Sequence, residues 1–200
     1  MAPPNPTQVI PDISFASNAQ SFQSNRNAML CHNRAFAAKV ARKNQEAIEL
    51  FRKAIELKEA GRMSQSSLGG SWNELGETYL QDGQLDAALE AFTKALNIRA
   101  SLTPREIHLF DTSVTRENIA RVYEAKNDPA NAKKAREEGI PLGEVCCSNY
   151  RCNKKEVMDA KKLKRCKHCM SSWYCGTECQ LVDWKSRHKR HCKDLAAAQA

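Results

Sequence analysis

No stretch of about eighteen apolar residues occurs anywhere in the 200-residue chain, so a membrane-spanning helix is not expected. The opening MAPPNPTQVIPDISFASNAQ has neither the basic start nor the apolar core of a secretory leader. Both absences lead us to expect a reducing compartment, cytoplasmic or nuclear. Cysteine is almost missing from the first 143 residues, where Cys31 stands alone; the other eight of the nine cysteines come later. Disulfides are rare in a reducing compartment, so such a cluster points to metal binding or to a nucleophilic thiol. Acidic residues are short at the same end. Through residue 143 eighteen Lys and Arg face seventeen Asp and Glu, whereas thirteen face six from Glu144 onward, which puts nearly all of the +8 net charge in the last quarter. A medium domain followed by a small, basic, cysteine-rich one fits this split.

Residues 1–27 hold four of the seven prolines among Ser, Asn and Gln, with few charges and no sustained hydrophobic period, and read as a disordered N-terminal tail. From 28 to 142 apolar residues recur at helical spacing. In SWNELGETYLQDGQLDAALEAFTKAL the positions Trp72, Leu75, Gly76, Tyr79, Ala88, Phe92 and Ala95 fall at offsets 0, 3, 4, 7, 16, 20 and 23. Two antiparallel helices follow from this pattern. Gly76 and Ala88 permit close approach, Trp72, Leu75, Tyr79 and Phe92 fill the space between, and Gly83 permits the tight turn. The same frame 41 residues upstream meets Ala35, Ala38, Ala47, Phe51 and Ala54, and 44 residues downstream Ile119, Ala120, Tyr123 and Ala132. EAGRMSQSSLGGS (59–71) and SLTPREIHLFDTS (101–113) are expected as connections between the hairpins. Cys31 takes an apolar helix position and reads as a packing thiol.

These offsets resemble the tetratricopeptide (TPR) signature, W-x2-L-G-x2-Y followed by A-x3-F and a small residue. The resemblance covers about 110 residues and is strongest in the middle copy. It implies a mostly α fold, a TPR-like array of helical hairpins with a concave face. On the family's pattern that face would be lined by Met29, His32, Phe36 and Lys39, then Asn73, Glu77 and Leu80, then Glu117, Arg121 and Glu124. This mixture departs from the Lys/Asn/Arg carboxylate clamp of chaperone-binding members, so acidic chaperone tails are not expected there. A scaffold and a peptide groove both remain open.

Beyond Glu144 the donors come in pairs: Cys147 with Cys152, Cys166 with Cys169, Cys175 with Cys179, and His188 with Cys192, each pair enclosing two to four residues. A structural zinc takes four Cys or His ligands in a tetrahedron, so eight donors make two sets. The apolar inventory of this end, chiefly Val157, Leu163, Met170, Trp173, Tyr174, Leu181, Val182 and Trp184, is short for about fifty residues, and domains this small need a staple. Structural zinc supplies about 10–16 kcal/mol of apparent binding energy. Metal removal should therefore unfold the end beyond about residue 144 and spare the helices of the middle. If GTECQLVDWKSRHKRHC is one helix, Cys179 and His188 lie about 180° apart around its axis and roughly 13 Å along it, too far to share an ion. Cys175 with Cys179, and His188 with Cys192, can each share a face. A sequential split fails and an interleaved one remains, with Cys147, Cys152, Cys175 and Cys179 on one zinc and Cys166, Cys169, His188 and Cys192 on the other. Four protein ligands per ion leave no open position for catalysis, and a thiolate held in a closed site is a poor nucleophile. No catalytic residue is assigned, and His32, His108, His168 and His191 are not assigned as ligands.

Tyr174-Cys175, Cys179-Gln180, Asp183-Trp184, His188 and Cys192 complete a pattern that resembles a MYND-type zinc finger, here over residues 146–193 with a short tail at 194–200. The family's cross-braced pair of zinc ions agrees with the interleaved split. The first pair encloses four residues in place of the commoner two, and Cys146 is an alternative to Cys147 as ligand. The resemblance implies a non-enzymatic adaptor that docks protein or peptide partners, proline-containing segments among them, with Gln180 and Trp184 as contact positions. An indole can stack on proline while an amide pairs with peptide backbone. Packing of Trp184 into the finger's own core is the plainer alternative. Nucleic acid is the weaker reading: seven thiolates and two zinc ions reduce the formal +7 of this end to about +4, and no recognition-helix pattern accompanies it. A methyltransferase role, as in SET-domain enzymes that carry MYND fingers, would need a catalytic domain where the repeats stand. Ubiquitin-ligase activity of the RING kind would need a Cys-His-Cys ligand order that is missing.

Overall fold

The structure, a computed structural model, describes residues 13–102, 109–152 and 161–197. Three antiparallel helix pairs come first: α1 (Ile13–Val40) with α2 (Asn44–Ala60), α3 (Gln65–Gln81) with α4 (Leu85–Ala100), and α5 (Leu109–Ala125) with α6 (Pro129–Glu137). Each pair also packs on the next, α2 on α3 and α4 on α5. The apolar stripes drive this stacking. Ala47, Ile48, Phe51, Ala54 and Ile55 of α2 recur at helical spacing and are all buried, as are Ala88, Ala91, Phe92 and Ala95 of α4. Two of the helix starts carry side-chain caps: Ser64 accepts from the Ser67 amide, and Asp128 accepts from the Asn131 amide with Pro129 in the first turn. Among the described residues no helix is long and apolar enough to cross a membrane. The resemblance to an array of tetratricopeptide hairpins thus holds for the fold.

The repeat frame extends to the turns. Arg42, Gly83 and Asn127 occupy equivalent places within the three pairs, and all adopt left-handed backbone, with φ of 61°, 81° and 56°. Each turn closes in the same way, the next residue's amide donating to the carbonyl five positions back: Lys43 to Ala38, Gln84 to Tyr79, and Asp128 to Tyr123. Only the middle copy has glycine there, the residue that adopts this conformation at no steric cost. Gly76 is required for a different reason: a Cβ on it would lie 2.7 Å from Cδ1 and Cε1 of Phe92. Its equivalents, Ala35 and Ala120, are small and fully buried.

Some expected boundaries change. Helix α1 begins at Ile13, so residues 13–27 are helical and not a disordered tail. The Ser21 and Ser24 hydroxyls donate to the carbonyls of Gly61 and Leu57, and Ala28 is fully buried, which ties this half of the helix to the end of α2. Residues 1–12 lie outside the described residues. The segment 59–71 is not a long connection either. Only residues 61–64 separate α2 from α3, because Ser64 caps a helix whose Leu68 is buried and whose Gly69 passes close to Ile98 and Arg99. Of the second connection, 103–108 lie outside the described residues and Leu109 already belongs to α5.

After α6 a 3-10 turn, Ile140–Leu142, leads to the cysteine-rich end. Strand β1 (Lys164–Arg165) pairs antiparallel with β2 (Trp173–Tyr174), Lys164 opposite Tyr174 and Arg165 opposite Trp173. Between them Met170, in left-handed backbone at φ 49°, donates its amide to the Cys166 carbonyl and closes a tight knuckle. Helix α7 (Thr177–Asp183), a π turn (Trp184–His188) and α8 (Lys189–Ala197) then form one uninterrupted helical run. The π turn changes the phase of everything beyond Asp183. The tail expected at 194–200 is mostly helix, since Leu195, three residues past Cys192 on the same face, is fully buried in the main core. Residues 198–200, and Val157 within 153–160, lie outside the described residues. Leu163, Trp173 and Tyr174 are buried, whereas Met170, Leu181 and Trp184 are exposed.

Candidate metal centres and their seam with the helical array

Cys147, Cys152, Cys175 and Cys179 bring their sulfur atoms within 4.8 Å of one another, and the donors of Cys166, Cys169, His188 and Cys192 form a second group within the same limit. Sulfur separations are 3.6 Å for Cys152–Cys175, 3.4 Å for Cys175–Cys179 and 3.8 Å for Cys166–Cys192; the Cys169 Sγ lies 3.6 Å from His188 Nε2. A disulfide requires about 2.05 Å. Four ligands on a tetrahedral zinc with Zn–S near 2.3 Å have S–S edges of about 3.8 Å, which is close to the observed spacing. Burial, and after it Arg187, lower the His188 pKa to about 4, so the ring is neutral and keeps a lone pair for a metal. The Ser172 Oγ, 3.3 Å from Nδ1, fixes the ring with Nε2 toward the sulfurs. Both donor sets are compatible with metal binding.

Each group draws on distant stretches, as helix geometry requires. Cys147 and Cys152 flank a turn in which Cys152 donates its amide to the Asn149 carbonyl and Arg151 donates to the Asn149 Oδ1. Cys175 follows β2 and Cys179 lies in the first turn of α7; Cys166 and Cys169 grip the knuckle, with His188 ending the π turn and Cys192 in α8. The second group is fully buried, while the first is half-buried. Cys146 lies outside both groups, and burial raises the pKa of its thiol well above the ordinary range. His168 and His191 also lie outside them. His108 is not among the described residues.

Residues 147–192 match the family model of the MYND finger, and residues 26–101 that of a tetratricopeptide repeat. The chain carries a MYND finger behind a tetratricopeptide-type array. A SET and MYND domain-containing protein of Dictyostelium discoideum is 40% identical over 52 residues, which are 26% of this chain and 9% of that protein. The chain thus spans under a tenth of that relative's length. Two crystal structures of nearly identical TPR-like repeats from a proposed kinesin light chain of Podosopora anserina, one a point variant, align with TM-scores of 0.51 and 0.52. These alignments cover 96% and 97% of this chain and 98% of each neighbour at 14% identity, a likeness of fold alone. MYND fingers and tetratricopeptide repeats are interaction modules, and the two Cys/His groups of this chain are compatible with the metal binding of a zinc finger.

The MYND finger is fixed to the array by buried charges: the sequence reading placed Glu117 and Glu124 on the concave face and Asp183 in the finger's pattern, but did not single out their partners Arg136 and Arg187. Arg136 of α6 grips Glu117 of α5 with two hydrogen bonds, at 2.8 and 2.7 Å, and lies 2.8 Å from Glu124. From the finger's side Arg187 reaches the same Glu124 and holds Asp183 with two further hydrogen bonds, at 3.2 and 2.8 Å. The Tyr174 hydroxyl donates to Asp183 at 2.7 Å, and the Ser148 hydroxyl donates to Glu117 at 3.1 Å. Burial acts to raise the Glu124 pKa, but Arg136 and Arg187 hold it at about 2. A buried arginine resembles a solvated one in a sequence. The available signal was a pair of glutamates at i and i+7, where the face of α5 turned to the core should be apolar.

Of the residues expected on the concave face, Lys39, Asn73, Glu77, Leu80, Glu117 and Arg121 line a cleft of about 790 Å³. Met29 and Phe36 lie exposed outside it, His32 pairs with Ser71, and Glu124 is taken up by the two arginines. The facing wall belongs to the finger: Asn149 and Tyr150 of the first ligand turn, then Ser186 and Arg187. Gln180 and Trp184 stand outside the cleft, one turn apart on the helical run. Trp184 is 37% exposed against 8% for Trp173, so the finger's small core is built on the other tryptophan.

Proposed function

We propose that the chain is a non-enzymatic adaptor of the cytoplasm or nucleus whose MYND finger, folded around two structural zinc ions, docks extended proline-containing segments of other proteins, with the helical array as scaffold. Cys147, Cys152, Cys175 and Cys179 hold one ion, and Cys166, Cys169, His188 and Cys192 the other. The observation that carries the reading is the presence of two complete four-donor groups together with an exposed indole, Trp184, which lies edge-on to His188 at 5.9 Å between ring centroids, one turn from the half-buried Gln180 and beside the exposed Leu181. Four protein donors per ion leave no place for a reacting water, so the metals act on folding alone. The indole offers a flat apolar surface for a proline ring, and the Gln180 amide offers a donor and an acceptor to the backbone of an extended peptide.

Native mass spectrometry should count two zinc ions per chain. Titration calorimetry against a panel of proline-containing peptides should show Trp184→Ala and Gln180→Ala each weakening binding by about tenfold, or ~1.4 kcal/mol, with both metals retained. Unchanged affinity in both variants would move the peptide site elsewhere. A metal-free chain with an ordered C-terminal end would overturn the zinc assignment itself.

A further inference from the structure

The cleft between the array and the finger has basic side chains in unequal situations. Lys39 is held between Glu74 and Glu77 at 2.5 and 2.6 Å. Arg187 is enclosed by Asp183, Glu117 and Glu124. Arg42 and Arg99 also line the cleft without an ion pair among the described residues, but Arg42 is exposed to solvent and Arg99 donates to the Asp111 carbonyl and the Thr115 hydroxyl. Arg121 differs in its hydrogen bonding, and no described carboxylate lies within ion-pair distance of it. Its guanidinium donates one hydrogen bond, from Nη1 to the Asn118 Oδ1 at 3.1 Å, and its Nε is buried with no partner. It stands 5.3 Å from the centroid of the Tyr150 ring. Burial, and next Arg187, oppose its charge, and the more distant Glu117, Glu77 and Glu124 offset this only in part. Taking an arginine out of water without a close counter-charge is unfavourable, and an arriving carboxylate would offset this.

We propose that this cleft is a second docking site, which takes an extended segment of a partner protein and pairs one Asp or Glu side chain of that segment with Arg121 beside the Tyr150 ring. It is a composite site: Arg121 comes from α5 of the array and Tyr150 from the ligand turn of the finger, so neither module carries it alone. A volume of about 790 Å³ accommodates a few side chains and not a folded domain. Glu74, Glu77 and Glu117 in the same walls would repel a nucleic-acid backbone or a run of acidic residues. A single carboxylate in an otherwise neutral stretch meets Arg121, whose buried Nε has no partner among the described residues, without that repulsion. The proposal goes beyond the proline-docking reading and does not depend on it, since Trp184 and Gln180 lie outside the cleft.

The test uses the full zinc-loaded chain and pools of fluorescein-labelled nonapeptides, randomised except for a central Glu, Gln or Lys, with anisotropy as readout. The Glu pool should bind about fivefold more tightly than the Gln pool, and the Lys pool more weakly than either. Arg121→Gln should erase the difference between Glu and Gln, while Trp184→Ala should leave it intact. Equal binding of the Glu and Gln pools by the native chain overturns the proposal, as does a Glu preference that survives Arg121→Gln. Displacement of the Glu pool by an oligonucleotide overturns it as well, by making the cation a nucleic-acid contact. The comparison of pools on the native chain needs no variant, so it decides the matter even where Arg121→Gln is unstable.

Discussion

His32 lies edge-on to Phe51, with ring centroids 5.4 Å apart and its Nδ1 3.0 Å from the Ser71 Oγ. Burial, then the positive charges of Lys58 and Lys39, lower its pKa to about 4. In the unfolded chain the ring takes up a proton near pH 6.5. Between those values the unfolded state binds more protons than the native one, so stability rises with pH across this window. The contribution is fully present above pH 6.5 and is lost as the pH falls toward 4. Because the ring is only half-buried, solvent screening reduces its size to about 1–2 kcal/mol. Urea unfolding at pH 7 and pH 4.5 should therefore show the native chain losing more stability than His32→Gln by that amount, acid release of metal being common to both. Parallel losses in the two chains would remove His32 as the titrating group.

At the scale of the element, α3 and α4 approach each other closely where Gly76 faces the fully buried ring of Phe92. Gly76→Ala places a methyl group 2.7 Å from two ring carbons, and overpacking of this kind costs about 1–3 kcal/mol. Combining it with Phe92→Leu should cost less than the sum of the two single changes, measured as a double-mutant cycle by urea unfolding; strict additivity would show that the two positions do not touch. This contact was legible from sequence because small and large residues recur at helical spacing and again 41 and 44 residues away. The grouping of the eight Cys and His side chains into two sets was legible too, since cysteine has few other uses at such density and helix geometry excludes a sequential split. The first half of α1 was not legible, because Ser21 and Ser24 hold it through backbone carbonyls and leave no hydrophobic period. The π turn at Trp184–His188 depends on backbone pairing alone and has no residue signature. Arg187 and Arg136 carried no mark to separate them from the solvated Lys and Arg around them.

Considered as a whole molecule, the chain is unlike two beads on a string, and this changes what metal removal should do. The sequence suggests that only the end beyond about residue 144 depends on zinc. Yet Glu117 and Glu124 of α5 are shared between Arg136 of α6 and Arg187 of the finger, and Ser148 of the finger also donates to Glu117. Helix α6 has nine residues, too few to persist in isolation, and it packs against α8. When the finger unfolds, Arg187 and α8 depart together. Two carboxylates in a formerly buried seam then face Arg136 without Arg187, the situation in which breaking a buried pair costs most. Hydrogen exchange in the presence of a strong chelator should accordingly show protection lost through α5 and α6 as well as beyond Glu144, while α1 to α4, joined by apolar packing between α2 and α3, keep theirs. Loss confined to the region after Glu144 would mean that the seam adds nothing to the third hairpin. Loss that spreads evenly to α1 would mean that the array and the finger unfold as one unit, with the ions holding both.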